Sequence, residues 1–176
     1  MALFEASKLA KLAGSALSVT GYRNQASGFD PRSGDGARRF GGRFNPPHSF
    51  PVIYLCTSRP CVVAELSRQA DRQGLAVGDL LPRELWRITV EFTKVLDLTH
   101  RATLAALDVD PADLLRDDRQ LTNEIGEAAH EHRFQAIRSP SVTGVDDVLA
   151  VMPENLAGAV LHVELIQEWK TTSDLP

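Results

Sequence analysis

Three strand-like runs crowd the end of the chain with no helical pattern between them: "FQAIRS" (134–139), "DVLAVM" (147–152) and "AVLHVELIQEW" (159–169). The last alternates as a half-buried strand does, with Val160, His162, Glu164 and Ile166 on one side and Leu161, Val163 and Leu165 on the other. Regular alternation of strand and helix, the mark of a doubly wound sheet, is missing. The expected fold class is therefore α+β, with central mixed or antiparallel sheets and flanking helices.

Earlier segments fit that class. "FPVIYLC" (50–56) is a short apolar run with β-branched and aromatic residues, read as a buried strand. Thr57 or Ser58 caps a helix expected from about 59 to 72, with Pro60 in its first turn. "LWRITVEF" (85–92) alternates well, and "KVLDLT" (94–99) continues it or pairs with it. Helices are expected near 100–107 and over 120–132. Residues 1–20 carry Glu5, Lys8 and Lys11 among apolar positions and read as an amphipathic helix, not a signal peptide. Between them and the first strand, residues 24–50 are rich in Gly, Pro, Ser and Asp and read as one long loop. A chain of 176 residues suits a single domain, 1–176, large enough to bury a proper core.

No apolar run reaches the roughly 20 residues a membrane span requires. Cys56 and Cys61 come without an export signal, so they are expected as reduced core thiols in a cytoplasmic protein. The net charge of −4 is unevenly spread. Residues 1–69 hold nine Lys or Arg against four acids, +5, which leaves −9 for the remainder. A basic first part points to a small anionic ligand; direct nucleic-acid binding would call for a larger basic surface.

The cations concentrate in "GARRFGGRFNPP" (36–47), where Arg38, Arg39 and Arg43 sit among glycines. Glycine lets backbone approach a ligand closely, and arginine forks bind phosphate in bidentate fashion. The stretch is neither a dinucleotide fingerprint nor a P-loop: "GDGARR" lacks the third glycine and follows no strand, and no "GK[ST]" occurs. His130 and His132 are two apart on a helix and point in different directions, so no metal is expected. Other polar groups that packing does not demand are Arg23, Tyr54, Glu65, and Ser139 or Ser141 around Pro140. Glu65 falls on the flank of the stripe Val62, Val63, Leu66 and Ala70, where a carboxylate can face a strand end.

Taken together, "GARRFGGRFNPP…VIYLCTSRPCVVAEL…AIRSPS…DDVLAVMPENL" resembles the RES domain family, over about 22–163. The resemblance implies a fold similar to ADP-ribosyltransferases and the role of toxin in a type II toxin–antitoxin module. It implies degradation of NAD+ at the nicotinamide–ribose bond, by hydrolysis or by phosphorolysis with inorganic phosphate as co-substrate. NAD+ is then a substrate, and no cofactor is implied. The partner implied is a DNA-binding antitoxin of Xre type. A homo-oligomer is compatible with the sequence, and no stretch specifies one.

Residue by residue, Arg43 matches the arginine of the family's "GGRWN" segment, with Phe44 in place of tryptophan. Tyr54 matches the tyrosine of the following strand, Glu65 the helix glutamate and Ser141 the serine of "RYPS". Arg23 matches the first residue of an "RY" pair, but Asn24 replaces the aromatic partner, and His48 replaces a small residue after "NPP". The roles implied are catalytic for Glu65, Arg43, Tyr54 and Ser141, with Arg23, Asn24 and Asn45 joining Arg43 and Tyr54 in substrate binding. Glu65 would bind ribose hydroxyls and stabilise the cation forming at the anomeric carbon, and the arginines would hold diphosphate or incoming phosphate. Tyr54 would stack on nicotinamide, and Ser141 would bond the amide or the ribose. Two rivals remain at this stage: transfer of ADP-ribose to a protein acceptor, and a catalytically silent module that binds a partner.

Overall fold

The structure, a computed structural model, describes residues 4–176. In chain order it runs α1 (Ala6–Leu9), β1 (Ser15–Ala26), α2 (Asp35–Phe40), β2 (Ile53–Cys56), α3 (Arg59–Gln73) and β3 (Arg83–Asp97). It continues with α4 (Arg101–Leu107), α5 (Gln120–Glu131), β4 (Ala136–Pro140), β5 (Asp147–Val151) and β6 (His162–Trp169). Short 3-10 turns cover Val77–Leu80, Pro111–Leu115, Pro153–Asn155 and Thr172–Asp174.

The six strands form one mixed sheet. β4 runs parallel to β3 through Val95–Asp97, and every other pairing is antiparallel. The α+β expectation with a central mixed sheet is met. β3 is the spine: one edge pairs with β1 from Ser15↔Val95 to Ala26↔Arg83, and the other carries β6 and then β4. β1 also touches β2, through Tyr22↔Cys56 alone, so the sheet curls back on itself. Inside the curl, Ile53, Leu55, Ile88, Val90, Phe92, Leu149 and Val151 form one core. On the outer side of β2, β5 and β4, a second core takes in Phe44, Ile125, Ala129, Ile137 and Met152 beneath α5. A third, with Cys61, Leu66, Leu85 and the fully buried Trp169, holds α3 against the sheet.

Local chemistry explains the helix after β2. Ser58 accepts from the Cys61 amide (3.2 Å), Pro60 sits in the first turn, and Gly74 closes α3 in the left-handed conformation at φ 67°. Cys56 and Cys61 are buried and unbridged. Their mutual hydrogen bonding, and then burial, push the Cys56 thiol above its ordinary range.

Three expectations need correction. The helix expected over 1–20 is only the single turn α1, and residues 1–3 of it lie outside the described residues. Gly14, at φ 74°, turns the chain, and "SALSVTGYRNQA" then finds a partner in β3 along its whole length, so sheet pairing outweighs helical periodicity. The loop expected over 24–50 begins with the end of β1 and contains α2, "DGARRF". In β6, Leu85 pairs with Gln167 but Trp86 with Leu165, leaving Ile166 as an extra residue. That bulge breaks the alternation: Leu161 is buried, whereas Leu165 is 41% exposed.

Candidate active site

Past the single pair Tyr22↔Cys56, β1 and β2 part, and a cleft of about 790 Å³ opens between them under α3 and the glycine-rich loop. Six arginines line it, Arg23, Arg43, Arg68, Arg72, Arg83 and Arg119, against one carboxylate, Glu65. Three of these arginines, Arg23, Arg43 and Arg68, come from the basic first part of the sequence, and Arg72, Arg83 and Arg119 join them from beyond it.

The loop carrying Arg43 is anchored from three directions. Asn123 on α5 donates to the carbonyls of Gly42 (3.0 Å) and Arg43 (2.8 Å). Gly126, one turn on, must be glycine, because a Cβ there would lie 1.6 Å from the Phe44 carbonyl oxygen. From β2, the Tyr54 hydroxyl accepts from the Phe44 amide (2.9 Å) and donates to Asn45 Oδ1 (2.8 Å). Gly42 lies over the Tyr54 ring so closely that a Cβ would come 2.5 Å from its hydroxyl. Phe44 itself is fully buried and packs in the core beneath α5.

Within this frame Arg43 Nη1 donates to the carbonyl oxygens of Leu114 (2.7 Å) and Arg116 (3.3 Å), which aims the remaining N–H groups at the cleft. Burial, then Arg119 and Arg68, pull its pKa down, while Glu65 and Tyr54 oppose them. Arg23 is tied by Nη1 to the carbonyls of Pro31 and Ser33, both at 2.8 Å. Burial lowers its pKa to about 10. Each guanidinium is held rigidly without a direct carboxylate partner, so each keeps donors for an anion.

Glu65 stands on the flank of α3, half-buried, where helical geometry puts it. Its Oε1 accepts from Ser141 Oγ at 2.7 Å. Ser141, in the turn between β4 and β5, is 1% exposed and shares its oxygen with Thr143 Oγ1 (2.6 Å) and the Thr143 amide (3.2 Å). In this structure the Ser141 hydroxyl, expected at the substrate, is bonded to Glu65, which lines the cleft. Ser139 is fully buried on β4 and takes no part.

Asn45 is placed behind the cleft wall. It is fully buried and does not line the cleft; Nδ2 donates to Ala37 O (2.7 Å) and Oδ1 serves Tyr54. Its work is to close the glycine-rich loop over Tyr54. Asn24 does line the cleft, with Oδ1 accepting from Arg83 Nε and with Nδ2 buried and unpartnered. Burial raises the Tyr54 pKa well above its ordinary value, so the group stays a neutral phenol with its hydroxyl fully occupied and only the ring left to meet a ligand.

The sequence reading did not single out Arg68, Arg72, Arg83 or Arg119 as site residues. On α3, at the start of β3 and before α5 they look like ordinary solvated charge, and only the fold brings them to one wall. Arg119 gave one signal: a cation stands at the N-cap of α5, where Ser, Thr, Asp or Asn is preferred.

The chain is 35% identical over 130 residues to the NAD(+) phosphorylase MbcT of Mycobacterium tuberculosis and of Mycobacterium bovis, covering 73% of this chain and 70% of theirs. The crystal structure of the M. tuberculosis MbcT–MbcA toxin–antitoxin complex superposes with a TM-score of 0.81 at 28% identity, over 94% of this chain and 91% of that one. The RES domain matches residues 19–174, and the protein belongs to the RES domain family.

Proposed function

We propose that this protein is the toxin of a type II toxin–antitoxin module and degrades NAD+ by phosphorolysis of the nicotinamide–ribose bond. The observation that carries the reading is the pairing of one oriented carboxylate, Glu65, with a wall of six arginines. A glycosidase that activates water uses a second carboxylate as base, and none lines this cleft. A phosphate dianion needs no base; it needs cations to bring it to the anomeric carbon. The relatives named NAD(+) phosphorylase support the same choice.

In the reaction a phosphate oxygen forms the new bond to the anomeric carbon while the C–N bond breaks. Nicotinamide leaves with that electron pair and becomes neutral, so the step needs no proton transfer. Glu65 stabilises the cationic ribose in the transition state, where preorganised charge acts most strongly. Arg23 and Arg43 hold the diphosphate, and the Tyr54 ring stacks on nicotinamide. The fold is read as ADP-ribosyltransferase-like. The partner is read as an Xre-type antitoxin, by likeness to the toxin–antitoxin complex.

The test is Glu65→Gln. Loss of one well-placed electrostatic partner costs about 10²–10³ in rate. Nicotinamide release is expected to fall by that factor with an unchanged thermal midpoint; near-wild-type turnover would refute the assignment.

A further inference from the structure

The six arginines of the cleft are not alike. Arg23 and Arg43 are each locked by two backbone carbonyls. Arg83 is occupied with Asn24. Arg72 and Arg119, by contrast, have no hydrogen bond or ion pair to their guanidinium groups among the described residues, and both line the cleft. Arg68, one turn before Arg72 on the same face of α3, is paired with Asp117 at 2.6 Å, a carboxylate whose side chain is 90% exposed.

Helix chemistry accounts for part of this and leaves a remainder. Arg72 lies in the last turn of α3, where a cation is favoured by the helix dipole. Arg119 is the opposite case. It occupies the N-cap of α5, makes no side-chain cap bond and puts a half-buried positive charge at the positive end of the helix. Burial, then Arg72, pull its pKa down. Asp117 offsets part of this from a distance, and Asp118 Oδ1 accepts from the Gln120 amide (2.9 Å), but neither bonds the Arg119 guanidinium, whereas an anion in the cleft would.

We infer that Arg72, Arg119 and Arg68 form a second subsite in the cleft, for a phosphate dianion distinct from the diphosphate held by Arg23 and Arg43. This rests on the phosphorolysis reading for its use, but not for its existence. Rigid forks suit a large group that must be placed accurately; unpaired ones at the exposed edge of α3 suit a small anion that enters and leaves. Two sources carry this chemistry: free inorganic phosphate, the co-substrate, or a 2′-phosphate on the adenosine ribose of a phosphorylated dinucleotide. Asp117 holds Arg68 in place.

The experiment uses the full chain, wild type and the double variant Arg72→Gln/Arg119→Gln. Calorimetric titration with inorganic phosphate, without NAD+, is expected to show binding to the wild type and about 10- to 100-fold weaker binding to the variant, the loss of charge-assisted hydrogen bonds. In turnover the KM for phosphate rises by the same factor while the KM for NAD+ changes less than twofold. If the wild type and the variant differ only in affinity for NADP+, the subsite belongs to the dinucleotide's 2′-phosphate. Equal phosphate affinity with no difference toward NADP+, or an equal rise of both KM values, overturns the subsite. Turnover of NAD+ that is independent of phosphate would end the phosphorolysis reading, and the titration would still decide the subsite.

Discussion

Ser141 donates its hydroxyl to Glu65 across 2.7 Å, joining the β4–β5 turn to α3 over 76 positions of sequence. The bond fixes the one carboxylate of the cleft from a direction that substrate cannot reach, because Ser141 is 1% exposed. The geometry is that of a residue that positions Glu65.

Ser141→Ala is therefore expected to lower kcat about 10-fold or more while leaving the KM for NAD+ within twofold. The buried hydrogen bond is worth about 1–3 kcal/mol when its charged partner is left unheld. Steady-state kinetics with both substrates varied separates this from a binding role. A rise in KM with kcat unchanged would place Ser141 on the substrate.

Tyr54 divides into a structural hydroxyl and a ligand-facing ring. Tyr54→Phe strands the Phe44 amide and Asn45 Oδ1, so a stability loss of about 1–3 kcal/mol is expected, with the KM for NAD+ nearly preserved. Tyr54→Ala removes the ring as well and is expected to raise that KM at least 10-fold. Urea denaturation and initial rates on the two variants check both halves.

Two glycines in helices are expected to respond to alanine with opposite sign. At Gly126 the new Cβ meets the Phe44 carbonyl, and the α5–loop contact must break, at a cost of about 3 kcal/mol or more. At Gly36, within α2, a Cβ meets nothing within 4 Å, and alanine should gain about 0.5–1 kcal/mol from helix propensity. Denaturation midpoints of the two variants settle this directly.

Much of this was legible in the sequence where periodicity had a single reading. "VIYLC", the Ser58-capped helix and the strands at 136–140 and 147–151 all stand where alternation, capping and apolar runs put them. Glu65 was found by helical geometry and Tyr54 by its place on a strand beside the arginine loop. β1 was missed because "SALSVTGYRNQA" declares itself only through its partner β3, 69 residues away at Thr20 and Thr89. The burial of Asn45 and Ser141 was not legible, because burial is a property of the fold, and a polar residue beside a site motif looks alike whether it faces the cleft or holds its neighbour. Arg72 is unremarkable in sequence and Arg119 stands out only as a cation at an N-cap; their meaning comes from sharing one wall. His48, which replaces a small residue of the family pattern, adopts φ 59°, the left-handed region that glycine enters without strain.

The most direct measurement is product analysis by mass spectrometry after incubating the purified protein, and its Glu65→Gln variant, with NAD+ in the presence and absence of inorganic phosphate. The account expects nicotinamide and ADP-ribose-1″-phosphate from the wild type only when phosphate is present, and almost none from the variant. Free ADP-ribose formed equally without phosphate, or no consumption of NAD+ under either condition, would contradict it.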